Sequence, residues 1–150
     1  MSPGDLQDQR SVSTSAQVRN LILTGFMGTG KTRIGREVAR RLDRPFVDMD
    51  AEIEARTGKP IPRIFAEEGE GAFRGVEADL CQELGSQTGL VIATGGGALV
   101  TATSREAMMR GGTVICLTCD ADEIQRRLSE GGAATRPLLE VPEPRAEIER

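Results

Sequence analysis

The stretch Gly25-Phe26-Met27-Gly28-Thr29-Gly30-Lys31-Thr32 constrains this chain more than any other feature, because it satisfies G-x-x-x-x-G-K-[ST] in full. Its flanks are those the pattern needs. Before it stands NLILT, a short apolar run that predicts a buried strand; after it Ile34, Val38 and Leu42 recur at four-residue spacing and predict an amphipathic helix starting at Lys31. Glycines let such a loop curl until several backbone N–H groups point inward, and the helix N-terminus adds its partial positive charge. The product is a cradle for phosphate. Lys31 would reach the β- and γ-phosphates of a bound nucleotide, and the Thr32 hydroxyl would be a Mg²⁺ ligand. Gly28, Thr29, Gly30, Lys31 and Thr32 are therefore candidate ATP-binding residues, whereas a glycine turn that only joined strand to helix would need neither the lysine nor the hydroxyl.

Further along, PFVDMD, LVIAT and TVICLT are β-favouring runs separated by stretches long enough for helices. Repeated β-α alternation with apolar strands predicts a three-layer α/β fold, a parallel sheet covered by helices on both faces. Between the second and third strands, AEIEARTG and IPRIFAEEGEGAFRGVEADLCQELG predict two or three helical pieces, with Gly58 and Pro60 at the first break. Such a long excursion is a place for an acceptor site. Residues 1–18 lack apolar periodicity and are expected to be a mobile N-terminal tail, leaving 19–150 as a single nucleotide-binding domain.

Composition narrows the partners. A net charge of −4 supplies no overall field for a polyanion, and four phenylalanines with no Trp or Tyr make no row of rings for stacking bases, so no nucleic-acid partner is expected. No apolar run approaches the roughly 20 residues of a membrane span and no secretory leader is visible, so the expected address is cytoplasmic, with no membrane partner. Cys81, Cys116 and Cys119 are read as free thiols. Cys116 and Cys119 form a C-x-x-C, but it lies in an apolar β run, and the chain has no histidine and no second C-x-x-C to complete a zinc site.

Asp48-Met49-Asp50 is expected to end the second strand, where residues two apart point to one side and face the ligand crevice of an open parallel sheet. One carboxylate could hold hydrated Mg²⁺ while the other accepts substrate hydroxyls; the alternative for Asp50 is a cap on the helix AEIEART. Three further features follow: Gly71-Ala72-Phe73-Arg74 with Glu77, the triplet Gly95-Gly96-Gly97, and Arg136-Pro137-Leu138-Leu139.

Together these motifs, in this order, closely resemble the shikimate kinase family over residues 20 to 150. The resemblance implies a P-loop kinase fold and transfer of the ATP γ-phosphate to the 3-hydroxyl of shikimate, with Mg²⁺ as cofactor, ATP as co-substrate and a monomeric enzyme of aromatic amino-acid precursor synthesis. It assigns Asp50 to the shikimate hydroxyls and Asp48 to Mg²⁺. Arg74 resembles the arginine that grips the shikimate carboxylate, a task suited to its planar fork, with Glu77 locking its orientation. Gly95, Gly96 and Gly97 resemble the triplet lying against the substrate ring. Arg136 resembles a lid arginine that neutralises charge during transfer, with Gly131 and Gly132 allowing the lid to move. Arg127 matches an arginine that stacks on adenine, although Arg126 aligns nearly as well.

Relative to the family the chain is expected to be C-terminally incomplete, with four of the usual five strands, because it stops at Arg150 before a second carboxylate arginine, a final strand and an adenine loop. Two rival readings remain beside the kinase: another small-metabolite P-loop kinase, such as one acting on gluconate, and a nucleotide-binding fragment without catalysis.

Overall fold

A computed structural model of the chain describes residues 18–25 and 30–130, apart from the side chains of Ile124, Arg127 and Leu128. The elements run β1 (Asn20–Thr24), α1 (Lys31–Leu42), β2 (Phe46–Asp48), α2 (Met49–Thr57), α3 (Ile61–Gly85), β3 (Val91–Ala93), α4 (Ala102–Gly111), β4 (Gly112–Cys116) and α5 (Ala121–Glu130). The four strands form one sheet in the order β2-β3-β1-β4, all pairs parallel. Each parallel neighbour must be reached by a crossover, and the helices supply those crossovers.

Side chains alternate across a strand, so each strand feeds two layers. Ile22 and Ile92 join Met49, Ile53, Ile64, Phe73, Leu80, Leu84 and Met108 in a single apolar cluster under α2, α3 and α4. Leu23, Val91 and Ala93 are equally buried but lie outside that cluster, on the alternate face, which α1 covers. Each fully buried aliphatic side chain contributes about 1.5–3 kcal/mol, so this double burial is the main source of the sheet's stability.

The helix predicted from Lys31 does begin there, but it does not bury the stripe that predicted it. Ile34 and Leu42 are 40% and 46% exposed, while Gly35 and Ala39 are buried. Gly35 explains the difference: a Cβ there would lie 2.5 Å from the Phe46 ring, so α1 sits too close to the sheet for a larger residue at the contact. The small residues face the strands, and the aliphatic ones flank the contact.

Asn20 anchors the far end of the site-bearing helix. It is fully buried, its amide donates to the carbonyls of Leu84 (3.1 Å) and Gln87 (2.9 Å), and its oxygen accepts from the Leu90 N–H (2.9 Å). A buried amide satisfied on both sides pins the C-terminal end of α3 to the start of β1. Gly58, at φ 68°, ends α2, and Pro60 precedes α3, as the sequence predicts for that break.

Candidate active site

The phosphate-loop residues Gly28 and Thr29 lie outside the described residues, as do Arg136, Gly131 and Gly132 of the expected lid, and Arg127 is described by its backbone alone. What flanks the loop is described. Gly25 and Gly30 both take positive φ, 138° and 92°, at the loop's entry and exit, which is where glycine's freedom is needed. Gly30 occupies the N-cap of α1 without a side-chain cap, so the first N–H groups of the helix have no side-chain acceptor there. Lys31 Nζ donates to the Gly25 carbonyl at 2.6 Å, spanning the two ends of the loop.

Thr32 and Asp48 meet at the next position. The Thr32 hydroxyl donates to Asp48 Oδ2 at 2.9 Å, while Asp48 Oδ1 accepts from the N–H groups of Asp50 (3.0 Å) and Ala51 (3.3 Å). This corrects two expectations. The strand ends at Asp48, and Met49 and Asp50 already belong to α2, so Asp48 and Asp50 are not alternate residues of an extended strand. The cap of α2 is Asp48 and not Asp50. An aspartate with extended backbone can satisfy the orphan N–H groups of the first turn, and Asp48 holds that position. Asp50 is thereby left without a capping duty.

Asp50, Arg74 and Glu77 converge on the glycine triplet after β3. A Cβ on Gly95 would lie 2.9 Å from both Asp50 Oδ1 and Glu77 Oε2, and a Cβ on Gly97 would lie 2.7 Å from Arg74 Nη1. None of the three glycines has a positive φ, so it is space for these charged groups, not backbone conformation, that requires Gly95 and Gly97. Arg74 Nη1 donates to Glu77 Oε1 at 2.7 Å, one helical turn along α3. Glu77 is 3% exposed and Arg74 about a third exposed, so the carboxylate is sunk in the fold while the guanidinium stays partly open to solvent.

The electrostatics follow from that crowding. Asp50 as a residue is exposed, but its carboxyl is packed among other groups; that desolvation, then the negative charges of Asp48 and Glu77, push it up to about 6, with Glu54 adding a little and Lys31 pulling the other way. Burial also raises Glu77, against the hydrogen bond and charge of Arg74. A carboxyl near 6 is ionised at neutral pH yet holds a proton readily, which suits a group that must accept one from a hydroxyl.

The thiols take no part. Cys81 is buried in the core and pushed up to about 11 by burial, while Cys116 ends β4 and Cys119 lies beyond it, all free. Among the described residues no group of three or more His, Cys, Asp or Glu could hold a metal ion, and no helix is long and apolar enough to cross a membrane. The burial of Glu77 and its approach to Gly95 carried no sequence signal beyond its spacing from Arg74.

Comparison with known proteins gives the chain its relatives. The shikimate kinase family model matches residues 27–150. A shikimate kinase of Desulforudis audaxviator is 48% identical over 122 residues, covering 81% of this chain and 64% of that protein, and one of Burkholderia thailandensis is 46% identical over 130 residues, covering 87% and 70%. The chain thus spans about two thirds of these relatives' length. The solved shikimate kinase of Acinetobacter baumannii in complex with shikimate superposes with a TM-score of 0.83 at 42% identity, covering 88% of this chain and 73% of the other. With its motifs, its four-stranded parallel sheet and these likenesses in agreement, the chain belongs to the shikimate kinase family.

Proposed function

We propose that the chain transfers the γ-phosphoryl group of ATP to the 3-hydroxyl of shikimate, a step in making aromatic amino-acid precursors. The observation that carries this reading is the convergence on Gly95 and Gly97 of a carboxylate-gripping fork, Arg74, and a hydroxyl-accepting carboxyl, Asp50. The relative from Acinetobacter baumannii that holds shikimate supports the choice of acceptor.

In this reading Arg74 binds the acceptor's carboxylate through its free face, with Glu77 fixing its orientation, and Asp50 orients the reacting hydroxyl and takes its proton. The triplet Gly95, Gly96 and Gly97 forms the floor on which the ring rests. Lys31 and the helix start beside it stabilise the phosphates as charge shifts toward the leaving oxygen, and transfer is in line, with no phospho-enzyme. The Thr32 hydroxyl and Asp48 carboxylate, 2.9 Å apart, are hard oxygen donors that fit Mg²⁺, an ion that keeps water and phosphate oxygens for most of its shell. Bound there, the ion would supply charge neutralisation on the phosphates. Gly28, Thr29, Arg127 and Arg136 take their family roles in ATP binding, the last as the lid cation. Residues 19–150 act as one P-loop kinase domain, after a tail over 1–18, in a monomeric cytoplasmic protein.

The test is ADP release by the purified chain with Mg-ATP and a panel of polyhydroxy carboxylic acids. We expect release with shikimate well above that with gluconate. A preference for gluconate would move the chain to another small-metabolite kinase, and ATP binding without ADP release would make it a non-catalytic nucleotide-binding fragment.

A further inference from the structure

Helix α3 carries Arg74 and Glu77, and it is broken before it reaches them. Gly69 has φ 85° and ψ 168°, dividing α3 into an arm before it and an arm after it. That combination is a region only glycine enters freely. A Cβ at Gly69 would meet nothing within 4 Å, so the glycine is there for its backbone angles and not for space.

The break has a consequence for side chains. In an unbroken helix, residues eight apart are separated by about 12 Å along the axis and their rings cannot touch. Phe65 and Phe73 stand on opposite sides of Gly69, yet their ring centroids are 4.9 Å apart with the planes tilted by 40°. The turn at Gly69 therefore bends the first arm toward the second and brings the two rings together. Phe73 in turn lies under Arg74, whose Cζ is 5.3 Å from the ring centroid. Glu70, the first residue past the break, places Oε1 3.6 Å from Arg74 Nε, and Glu77 holds the other side of the guanidinium.

The first arm has its own anchors. Glu54 of α2 accepts from the Ile61 N–H at 2.8 Å, and Lys59 pairs with Glu67 at 2.8 Å and with Glu68 at 3.6 Å. The second arm is held at its far end by Asn20. Two separately anchored arms leave the angle at Gly69 to decide where Phe65 meets Phe73, and so how Arg74 sits.

We propose that Gly69 is a positioning residue for Arg74: its glycine-only backbone turn stacks Phe65 on Phe73 and thereby sets the guanidinium at the angle that receives the acceptor's carboxylate. The inference rests on the assignment of Arg74 to that carboxylate, and it goes further in making a residue that touches no substrate a determinant of acceptor affinity.

Gly71 supplies an internal control, since it lies on the second arm, has no positive φ and has the same open space. The experiment compares the chain with Gly69→Ala and Gly71→Ala. In ligand-free protein, NMR reads the Phe65–Phe73 ring contact and the Arg74 Nε–H signal, neither of which needs catalysis. Gly69→Ala should lose the ring contact and shift the arginine signal; Gly71→Ala should keep both. With substrates, Gly69→Ala should raise the KM for shikimate about tenfold while leaving the KM for ATP unchanged and kcat the less affected. If Gly69→Ala does not fold, Phe65→Leu removes the stack without touching the backbone and should give the same split in smaller measure. An intact ring contact or arginine signal in Gly69→Ala overturns the proposal, as does an equal rise in both KM values, or Phe65→Leu with an unmoved arginine signal. A chain that never phosphorylates shikimate overturns the functional reading instead, and the two NMR readouts then decide the positioning claim on their own.

Discussion

At the end of the site proposed for phosphate, the consecutive residues Lys31 and Thr32 reach out, one back to the Gly25 carbonyl and one across to Asp48. At the end proposed for the acceptor, Asp50 from α2, Arg74 and Glu77 from α3, and the glycines after β3 are brought together from three separate parts of the chain. The first end is a local construction: a strand, a glycine loop and a helix start, an arrangement in which backbone N–H groups would do most of the proposed anion binding. The second is a packing construction. It depends on Asn20 pinning α3, on the turn at Gly69 and on the absence of side chains at Gly95 and Gly97. It also takes carboxylates out of water: burial raises both Asp50 and Glu77, and at Asp50 the negative charges of Asp48 and Glu77 add to it. A local construction should lose chemistry without losing shape, and a packed one should trade the two against each other.

The largest effect should come from Lys31→Ala. Removing the cation proposed to meet the phosphates should lower turnover by about 10²–10³-fold. Thermal unfolding should move by no more than about 2–4 °C, the scale of 1 kcal/mol in a domain this size. A comparable loss of fold would break the contrast, because it would make the phosphate end a packing element too.

Gly97→Ala tests the opposite end. The new methyl would stand 2.7 Å from Arg74 Nη1, so the guanidinium must shift. We expect the KM for shikimate to rise about tenfold, equivalent to about 1.4 kcal/mol, with the KM for ATP unchanged. Steady-state kinetics with each substrate varied in turn would show the split, and a matching rise for ATP would merge the two ends into one unit.

The smallest effect is one of stability. The folded Asp50 carboxyl titrates near 6 against its ordinary 3.8, so the folded chain holds that proton more tightly than the unfolded one. Its contribution is complete below about pH 4 and is lost as pH rises through about 6. Above that, the ionised group burdens the fold. Asp50→Asn should therefore stabilise the nucleotide-free protein at pH 8 by about 1 kcal/mol, a figure reduced for the group's partial exposure, even as it removes the proposed proton acceptor. Urea unfolding at pH 8 and pH 4 should show that gain shrinking at the acid end. A gain that grew toward acid would mean the carboxyl is stabilised as an anion, and the cleft floor would need another account.

Much of the phosphate end was legible in the residues themselves. NLILT is β1 to the residue, and α1 begins at Lys31, because a glycine loop between an apolar run and a helix leaves few other arrangements. The break at Gly58 and Pro60 was equally readable, since each residue restricts φ or hydrogen bonding at its own position. The apolar stripe of α1 was a true sign of helix but a poor sign of contact. Periodicity reports which residues share a face, and the distance to the sheet, set by Gly35 against Phe46, selects the face that is buried.

The acidic pair shows the same division. Two aspartates at the end of a short apolar run marked the candidate site, but alternation along an extended chain placed both on that strand, and the capping strength of Asp48 ended it two residues sooner. The sequence by itself determined what is local: the α/β alternation, the phosphate cradle's flanks and the kinds of charged residue available to a substrate. Only the tertiary structure decided that Asp50 and Glu77 crowd Gly95 while Arg74 crowds Gly97, how deeply Glu77 is buried, and how the arms of α3 pack to present Arg74. Those outcomes depend on close approach between segments far apart in the chain, and neither residue spacing nor propensity carries information about that distance.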